Sequence, residues 1–453
     1  VISIAPGLYA KYNRPSPRYT CYPGVAHWED PPAEAEWVRH LDASLTANAA
    51  PRGIALYVHI PFCQALCTFC GCNIRIARNH SLATPYVPRL LRELDLYRER
   101  LGRENFKLGV LHLGGGTPTF LPAAELDLLL DGLLQRLQVL PAATLTVEVD
   151  PRVTTREQLL VLRRHGFNRI SIGVQDFDPR VLDIVNRPQE ESQVRATVDN
   201  ARALGFSSVS FDLIYGLPLQ TTDSIETTMD AVERLHPDQI CFFPYAPVPW
   251  IKPSQRRFTE ADLPERDVRQ QLLLAGRRRM GAAGFVEIGM DQYALAGDPL
   301  AVAATGGTLA RNFMGYGATQ GSPLIGLGSS AMGDAGTAFA QNEKNLMRYE
   351  ARVDRDELPI QRGHILDAED LQLRRIITDI VTRFETGWSA QDRRTDWFSP
   401  VAPALGELLQ DGLIEMRDDD LRVTETGRPF LRNVCLAFDA RTRRAEESIC
   451  NNA

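Results

Sequence analysis

Six short runs of apolar and β-branched residues recur along the chain: LYVHIPF from Leu56, GVLHLGGG from Gly109, LTVEVDP from Leu145, RISIGVQDF from Arg169, VSFDLIYGLP from Val209 and QICFFPYAP from Gln239. Runs of that length and make-up predict buried strands. Between them, segments 86–101, 123–137, 156–165, 193–204 and 222–235 carry apolar residues at spacings of three and four, which predicts helices with one buried face. Strand and helix alternate, so the sheet is expected to be parallel with helices outside it. Six successive units on one pattern predict an α/β fold, a partial (β/α)6 barrel. A doubly wound sheet is the alternative that the same pattern allows.

Each strand runs into something polar at its C-terminal end: a cysteine-rich loop, Gly114-Gly115-Gly116-Thr117, Glu148, Gln175, Asp212, and Tyr245 with Ala246. In parallel barrels the loops at that end build the active site. The glycine-rich stretch 306–336 lacks the order of a nucleotide P-loop and reads as loops whose backbone approaches a ligand, or as plain surface loops. Beyond Asp367, Leu371, Ile376, Ile377, Ile380 and Phe384 line one helical face, and helix, turn and hairpin follow. This resembles a small winged-helix-like domain, but Asp418, Asp419 and Asp420 at the hairpin tip would repel phosphate, which favours a packing or lid role. The expected segments are an extension over the active site (1–50), the barrel (51–300), a glycine-rich segment closing the site (301–366) and a mainly helical C-terminal domain (367–453).

A chain of 453 residues with 44% hydrophobic content can bury a large core. Its formal charge of −7 argues against nucleic acid or an anionic membrane as partner, so an acidic substrate must be held by local cations. The first residues are broken by Pro6, Gly7, Pro15 and Pro17 and resemble neither a signal peptide nor a membrane span. A cytoplasmic protein is expected, and in that reducing compartment close cysteines hold metal or do redox chemistry more often than they form disulfides. Cys21, Cys241, Cys435 and Cys450 are scattered and read as unpaired thiols.

The remaining four cysteines stand together in FCQALCTFCGCN, where Cys63, Cys67 and Cys70 make C-x3-C-x2-C and Cys72 follows. A structural zinc usually takes four ligands in two separated pairs. Three thiolates suit a 4Fe-4S cluster with one open iron, which could take the amino and carboxylate groups of S-adenosylmethionine.

That spacing after a first barrel strand resembles the radical S-adenosylmethionine enzymes. More narrowly, YVHIPFC, HLGGGTPT, EVDPR, GFNRISIGVQDF, VNRPQ, DLIYGLPLQT and GRPFLRNVCLAFD resemble the oxygen-independent coproporphyrinogen III oxidases, from KYNRPSPRYT to about residue 440. The resemblance implies Cys63, Cys67 and Cys70 as cluster ligands, with Cys72 an additional, non-ligating cysteine of the site. It places Tyr57, Gly115, Glu148 and Met332 against cluster-bound S-adenosylmethionine. It places Phe69, Gly116, Thr117, Gln175, Arg187, Asp212 and Ala246 against a second molecule. Read on their own, Asp212 could be a strand-end turn former and Thr117 a helix cap. The implied reaction turns two propionates of coproporphyrinogen III into vinyl groups. Arg18 and Arg311 are candidates to hold propionates, or else surface ion pairs. The implied partners are a small tetrapyrrole and an electron donor such as flavodoxin or ferredoxin, acting on a monomer.

Three positions depart from the family pattern: Pro247, Gln292 and Ala310 stand where it has histidine. Gly24 and Gly317-Ala318 are smaller departures nearby. Because histidine donates, accepts and titrates near neutral pH, its loss raises the alternative of a related radical reaction, such as methyl transfer or cyclopropane formation, or of a different tetrapyrrole. A haem carrier is the non-enzyme alternative; CGCN, PRYTCYP and Arg187, which the carrier branch lacks, stand against it.

Overall fold

A computed structural model describes residues 4, 6–12, 16–28, 31–47, 52–318, 322–389, 391–392 and 397–444. By its internal contacts the chain falls into two compact units, each discontinuous in sequence. One comprises Asp30–Gly284 with Gly321–Ile365, the other Val1–Glu29, Phe285–Gln320 and Leu366–Ala453.

In the larger unit six parallel strands follow one another: β1 (Ile54–Ile60), β2 (Phe106–Gly115), β3 (Leu137–Val149), β4 (Arg169–Gln175), β5 (Ser208–Tyr215) and β6 (Gln239–Pro244). Each pairs in parallel with the next, so strand order equals chain order. A doubly wound sheet would reverse direction at a switch point, and this one does not. Helices Tyr86–Leu101, Ala123–Leu134, Arg156–Arg164, Glu191–Ala203 and Thr222–Leu235 make the crossovers. Their ends are locally encoded: Thr155 and Gln158 form a reciprocal capping box, and Gly102 ends its helix in the left-handed region.

The burial pattern of the strands carries the functional information. Parallel strands covered on both faces usually read as continuous apolar runs. Here β4 alternates, with Ile170, Ile172 and Val174 buried under the helices and Arg169, Ser171, Gly173 and Gln175 partly accessible. Thr144, Thr146 and Glu148 of β3 and Asp212 of β5 alternate in the same way. The apolar face packs outward, and the inner face is a polar trough.

The glycine-rich stretch departs from the loop expectation. Across the free edge of β1 the sheet continues with β7 (Leu324–Leu327, parallel), β8 (Met332–Asp334), β9 (Ala338–Asn342) and β10 (Ile360–Ile365), the last three antiparallel. Its glycines serve close packing: a Cβ on Gly326 would lie 2.4 Å from the Met332 carbonyl oxygen, and one on Gly333 2.7 Å from the Trp37 ring. Hydrophobicity runs of strand length were too short there to signal pairing.

The smaller unit holds the hairpin Ala310–Asn312/Gly315–Gly317, the helix Ala368–Arg383 and a three-stranded antiparallel sheet of Glu385–Gly387, Asp420–Val423 and Ile414–Arg417. On the Ala368–Arg383 helix the buried face is Leu373, Ile376, Ile377, Ile380 and Val381. Leu371, expected on that face, is 39% exposed, one position off the stripe.

Candidate active site

The cysteine loop leaves β1 through Pro61 and is pinned by a short parallel pair, Phe62–Cys63 with Arg75–Ile76. Cys67 is buried, Cys63 and Cys70 are partly buried, and Cys72 is exposed. The Cys70 amide donates to the Cys67 carbonyl (3.1 Å) and the Cys72 amide to the Cys70 sulfur (3.4 Å). Cys63, Cys67, Cys70, Cys72 and Cys435 form no disulfide, and Cys450 lies outside the described residues.

Backbone of β2 closes over this loop. Gly115 has φ +115°, and a Cβ on Gly116 would meet the Pro61 carbonyl oxygen at 2.7 Å and the Cys63 sulfur at 2.9 Å, so only glycine allows the approach. Thr117 Oγ1 lies 3.5 Å from the Cys63 sulfur and makes no helix-capping bond, which removes the cap reading of its side chain.

Cations face Cys67. Arg187 Nη1 donates to its sulfur (3.5 Å) and to Asp150 (3.2 Å), and its Nη2 donates to the Gly173 carbonyl. Arg152 Nη2 lies 3.6 Å from the same sulfur and 2.6 Å from Asp150. Burial works against charge on Asp150, but Arg187 and then Arg152 hold it below the ordinary carboxylate range. The Arg187 Nε is buried with no partner. A buried thiol flanked by two guanidinium groups, one of them with a spare buried donor, matches an anionic thiolate-held cluster. A structural zinc would usually take a fourth ligand from a second, separated pair, whereas Cys63, Cys67 and Cys70 all come from one short loop. Asp127, Asp131 and His165 bring three possible ligand atoms within 4.8 Å of one another, but that group is at the surface.

Further into the trough, Glu148 accepts from His112 Nε2 (2.9 Å) and the Gly115 amide (3.2 Å). Its surroundings are desolvated, which would raise its pKa, yet the His112 hydrogen bond and charge bring it below the usual value. Its side chain keeps 41% of its surface accessible, so the charge faces the opening. Asp212 sits within β5, not at a turn, and accepts from Ser171 Oγ at 3.2 Å. Desolvation and the neighbouring Glu148 charge push it up to about 7. The folded chain therefore holds a proton there that the unfolded chain has lost, and the ligand-free protein should lose stability as pH rises from about 4 to about 7. Asp212→Asn is expected to raise the melting temperature at pH 8 and to change little at pH 4; equal melting at both would refute the strained carboxylate.

Tyr57 reaches His59 Nδ1 (2.9 Å), and His59 Nε2 meets the Asn73 carbonyl oxygen (2.9 Å). Gln175 ends β4 at φ +70°, beside a register shift, and Met332 opens β8, buried. Phe69 packs on Val181, Val185, Leu217, Tyr245 and Phe258; Ala246 is exposed beyond β6. The larger unit thus contains every residue expected to hold the cluster or S-adenosylmethionine. His59, His112, Asp150 and Arg152 were missed. Strand alternation could have flagged His112, two positions before Gly114 on the same face.

Arg18 and Arg311 belong to the smaller unit. Arg311 Nη2 donates to the Arg18 carbonyl (3.0 Å) and Nε to the Tyr19 carbonyl (3.3 Å), with its guanidinium 4.4 Å from the Tyr316 ring centroid. Gln292 is buried in a hairpin strand, next to Asp291, which pairs with Arg432. Ala310 faces Gly317 across its hairpin, and Pro247 lies beyond β6.

Residues 57–232 match the Radical SAM superfamily model. Fold, three-thiol loop and polar trough therefore define a radical S-adenosylmethionine protein, with a 4Fe-4S cluster and S-adenosylmethionine as cofactors. Across nearly its whole length the chain is 38% identical to oxygen-independent coproporphyrinogen III oxidase of Escherichia coli (strain K12), covering 96% of this chain and 95% of that one. It is 36% identical to the protein of that name from Pseudomonas aeruginosa, covering 95% of each. The solved structure of coproporphyrinogen III oxidase (HemN) from Escherichia coli, a radical SAM enzyme, superposes with a TM-score of 0.87 at 36% identity, over 94% of this chain and 97% of that one. The chain belongs to the oxygen-independent coproporphyrinogen III oxidase family.

Proposed function

We propose that this protein oxidatively decarboxylates two propionate side chains of coproporphyrinogen III to vinyl groups, giving protoporphyrinogen IX for haem synthesis. The observation that carries it is kinship over 96% of the chain with a named oxidase of this activity. The departures at Pro247, Gln292 and Ala310 do not displace that reading, and the other radical reactions and the haem carrier are set aside.

Cys63, Cys67 and Cys70 would hold the cluster, with Arg152 and Arg187 balancing thiolate charge beside Cys67. Cluster and S-adenosylmethionine together supply the hydrogen-abstracting radical. Glu148, oriented by His112 and the Gly115 amide, keeps a carboxylate aimed into the trough where an ammonium or hydroxyl group can donate to it. Tyr57 and Met332 belong to the same site. Gly116, Thr117, Gln175, Asp212, Phe69, Arg187 and Ala246 are assigned to a second S-adenosylmethionine. Each propionate loses a hydrogen atom from its β-carbon, then carbon dioxide and one electron. The trough's task is to hold that carbon close to the radical while excluding water, since small displacements are costly in rate. Arg18, Arg311 and Cys72 are assigned to the substrate side. A cytoplasmic monomer served by a flavodoxin or ferredoxin completes the reading. Among the described residues no helix is long and apolar enough to cross a membrane.

Anaerobic incubation of the reconstituted protein with coproporphyrinogen III, S-adenosylmethionine and reductant should yield the divinyl product with deoxyadenosine released in step. Deoxyadenosine without decarboxylated tetrapyrrole would sink the assignment.

A further inference from the structure

The three sulfurs expected to hold the cluster meet different donors. Thr117 Oγ1 lies 3.5 Å from the Cys63 sulfur, and the Cys72 amide donates to Cys70 at 3.4 Å; both donors are neutral. The charged donors among the described residues go to Cys67: Arg152 Nη2 at 3.6 Å and Arg187 Nη1 at 3.5 Å. Hydrogen bonds to the sulfurs and the net charge nearby set the reduction potential of an iron–sulfur centre. A positive charge favours the state that holds one more electron, and it acts most strongly where water does not screen it.

The two guanidinium groups differ in what else they hold. Arg187 divides its bonds among Cys67, Asp150 and the Gly173 carbonyl, so it also ties strands together. The side-chain bonds of Arg152 go to Asp150 and Cys67 alone among the described residues: Nε to Oδ1 (2.9 Å) and Oδ2 (3.2 Å), Nη2 to Oδ2 (2.6 Å) and to the sulfur. The Arg152 and Asp150 side chains are 13% and 11% accessible, which leaves little solvent to screen their charges from that sulfur. The turn that carries them closes without the guanidinium. The Val153 and Thr154 amides each donate to the Asp150 carbonyl at 3.1 Å, Thr154 Oγ1 does so at 2.8 Å, and the Thr155 capping box then starts the next helix. The turn has no need of a cation at position 152, yet an arginine stands there and reaches a ligand sulfur.

We propose that Arg152 is a positioning residue for electron entry: acting through the Cys67 sulfur it favours the reduced cluster, and Asp150 tempers that effect, so the pair sets the potential at which the protein accepts its electron. The inference rests on the functional reading above and deepens it by assigning the control of its first redox step. One electron passes from a one-electron reductant to the cluster; no bond forms or breaks, and Arg152 stays a cation throughout. The sign follows from the charges. Two guanidinium groups and one carboxylate leave a single net positive charge beside Cys67. Neutralising Arg152 removes it and disfavours reduction, whereas neutralising Asp150 increases it and favours reduction. Loosening of the site moves both variants the same way; charge moves them in opposite ways.

The test uses reconstituted, cluster-loaded protein and the variants Arg152→Gln, Arg152→Lys and Asp150→Asn. Iron and sulfide content first shows which of them hold a cluster. Each is then titrated anaerobically with dithionite against mediators of known potential, without and with S-adenosylmethionine, and the reduced cluster is counted by electron paramagnetic resonance. At the ambient potential that half-reduces the unaltered protein, Arg152→Gln should show a reduced-to-oxidised ratio about tenfold lower, a shift of about 59 mV for one electron. Arg152→Lys keeps the charge and should recover most of that loss, and Asp150→Asn should shift the ratio the other way. An unchanged ratio in Arg152→Gln overturns the proposal, as does a fall of the same size in Arg152→Lys. Equal falls in Arg152→Gln and Asp150→Asn overturn it in favour of a loosened site. Loss of the cluster from both Arg152 variants overturns it in favour of a structural role. If Asp150→Asn alone fails to load, the comparison of glutamine with lysine at position 152 decides. An unaltered protein that takes up no 4Fe-4S cluster brings down the functional reading and the proposal together; a loaded protein whose variants match its potential brings down the proposal alone.

Discussion

Replacing Cys67 by serine is expected to strip the protein of its iron, whereas replacing Cys72 is expected to leave iron per chain near that of the unaltered protein. Cys67 is the buried member of the loop, with Arg187 and Arg152 both aimed at its sulfur, so two guanidinium groups stand ready for negative charge at that atom. A serine oxygen is a poor ligand for a cluster built on soft thiolates. Cys63 has Thr117 at 3.5 Å and Gly116 closing above it, and Cys70 accepts the Cys72 amide, so each of the three sulfurs has protein groups arranged around it. Cys72, by contrast, is exposed and contributes its backbone: its amide goes to Cys70 and its carbonyl takes the Lys252 ammonium. Either contact survives a serine. Iron and sulfide assays with the visible absorbance of the reconstituted proteins decide the matter. The assignment fails if Cys72→Ser loses iron as completely as Cys67→Ser, or if Cys67→Ser keeps it.

The strands of the barrel were legible because each is a run of branched aliphatic residues bounded by glycine, proline or a polar end, and because helix periodicity filled every gap between them. The loop that carries the thiols was legible because its chemistry is local in sequence. What escaped depends on pairing between distant segments. Nothing in LIGL from Leu324 says that it will add a parallel strand beside β1, and glycine within it argues locally for a loop. The two-unit division is likewise hidden, since Phe285–Gln320 groups with the two ends of the chain and not with the segments that flank it in sequence. Around the site, His112 escaped because a histidine inside an apolar run reads as core until its partner Glu148, on the next strand, is known. Asp150 and Arg152 escaped for the opposite reason. They look like a turn, VDPR, and the turn is real, but it also aims a guanidinium at Cys67.

Removing Arg187 should cost both the fold and the cluster, with a pH signature that separates the two. Its side chain is 6% accessible and that of Asp150 11%, so the pair is desolvated on both sides. Breaking a buried pair by deleting one partner costs about 3 kcal/mol or more, because the remaining charge is left in poor surroundings. Arg152 still holds Asp150 through two guanidinium nitrogens, at 2.9 Å and 2.6 Å, which places the expected loss at the lower end of that range. The Gly173 carbonyl, at the inward bend of β4, loses its donor as well. In the unaltered protein the depressed pKa of Asp150 contributes stability that is present above the ordinary carboxylate range and lost as pH falls through the folded value. In Arg187→Ala that contribution shrinks, so the difference in melting temperature from the unaltered, metal-free chain should be full near pH 7 to 8 and should narrow only as pH falls below about 4, the ordinary carboxylate value, toward the depressed value of Asp150. Arg187→Lys, which keeps a charge but not the fork that spans Cys67, Asp150 and Gly173, should recover part of the stability and less of the cluster. Thermal melts across that pH range, with iron content measured at pH 7.5, check both. A pH-independent difference would mean that Asp150 does not depend on Arg187, and full iron loading in Arg187→Ala would remove the guanidinium from the cluster's surroundings.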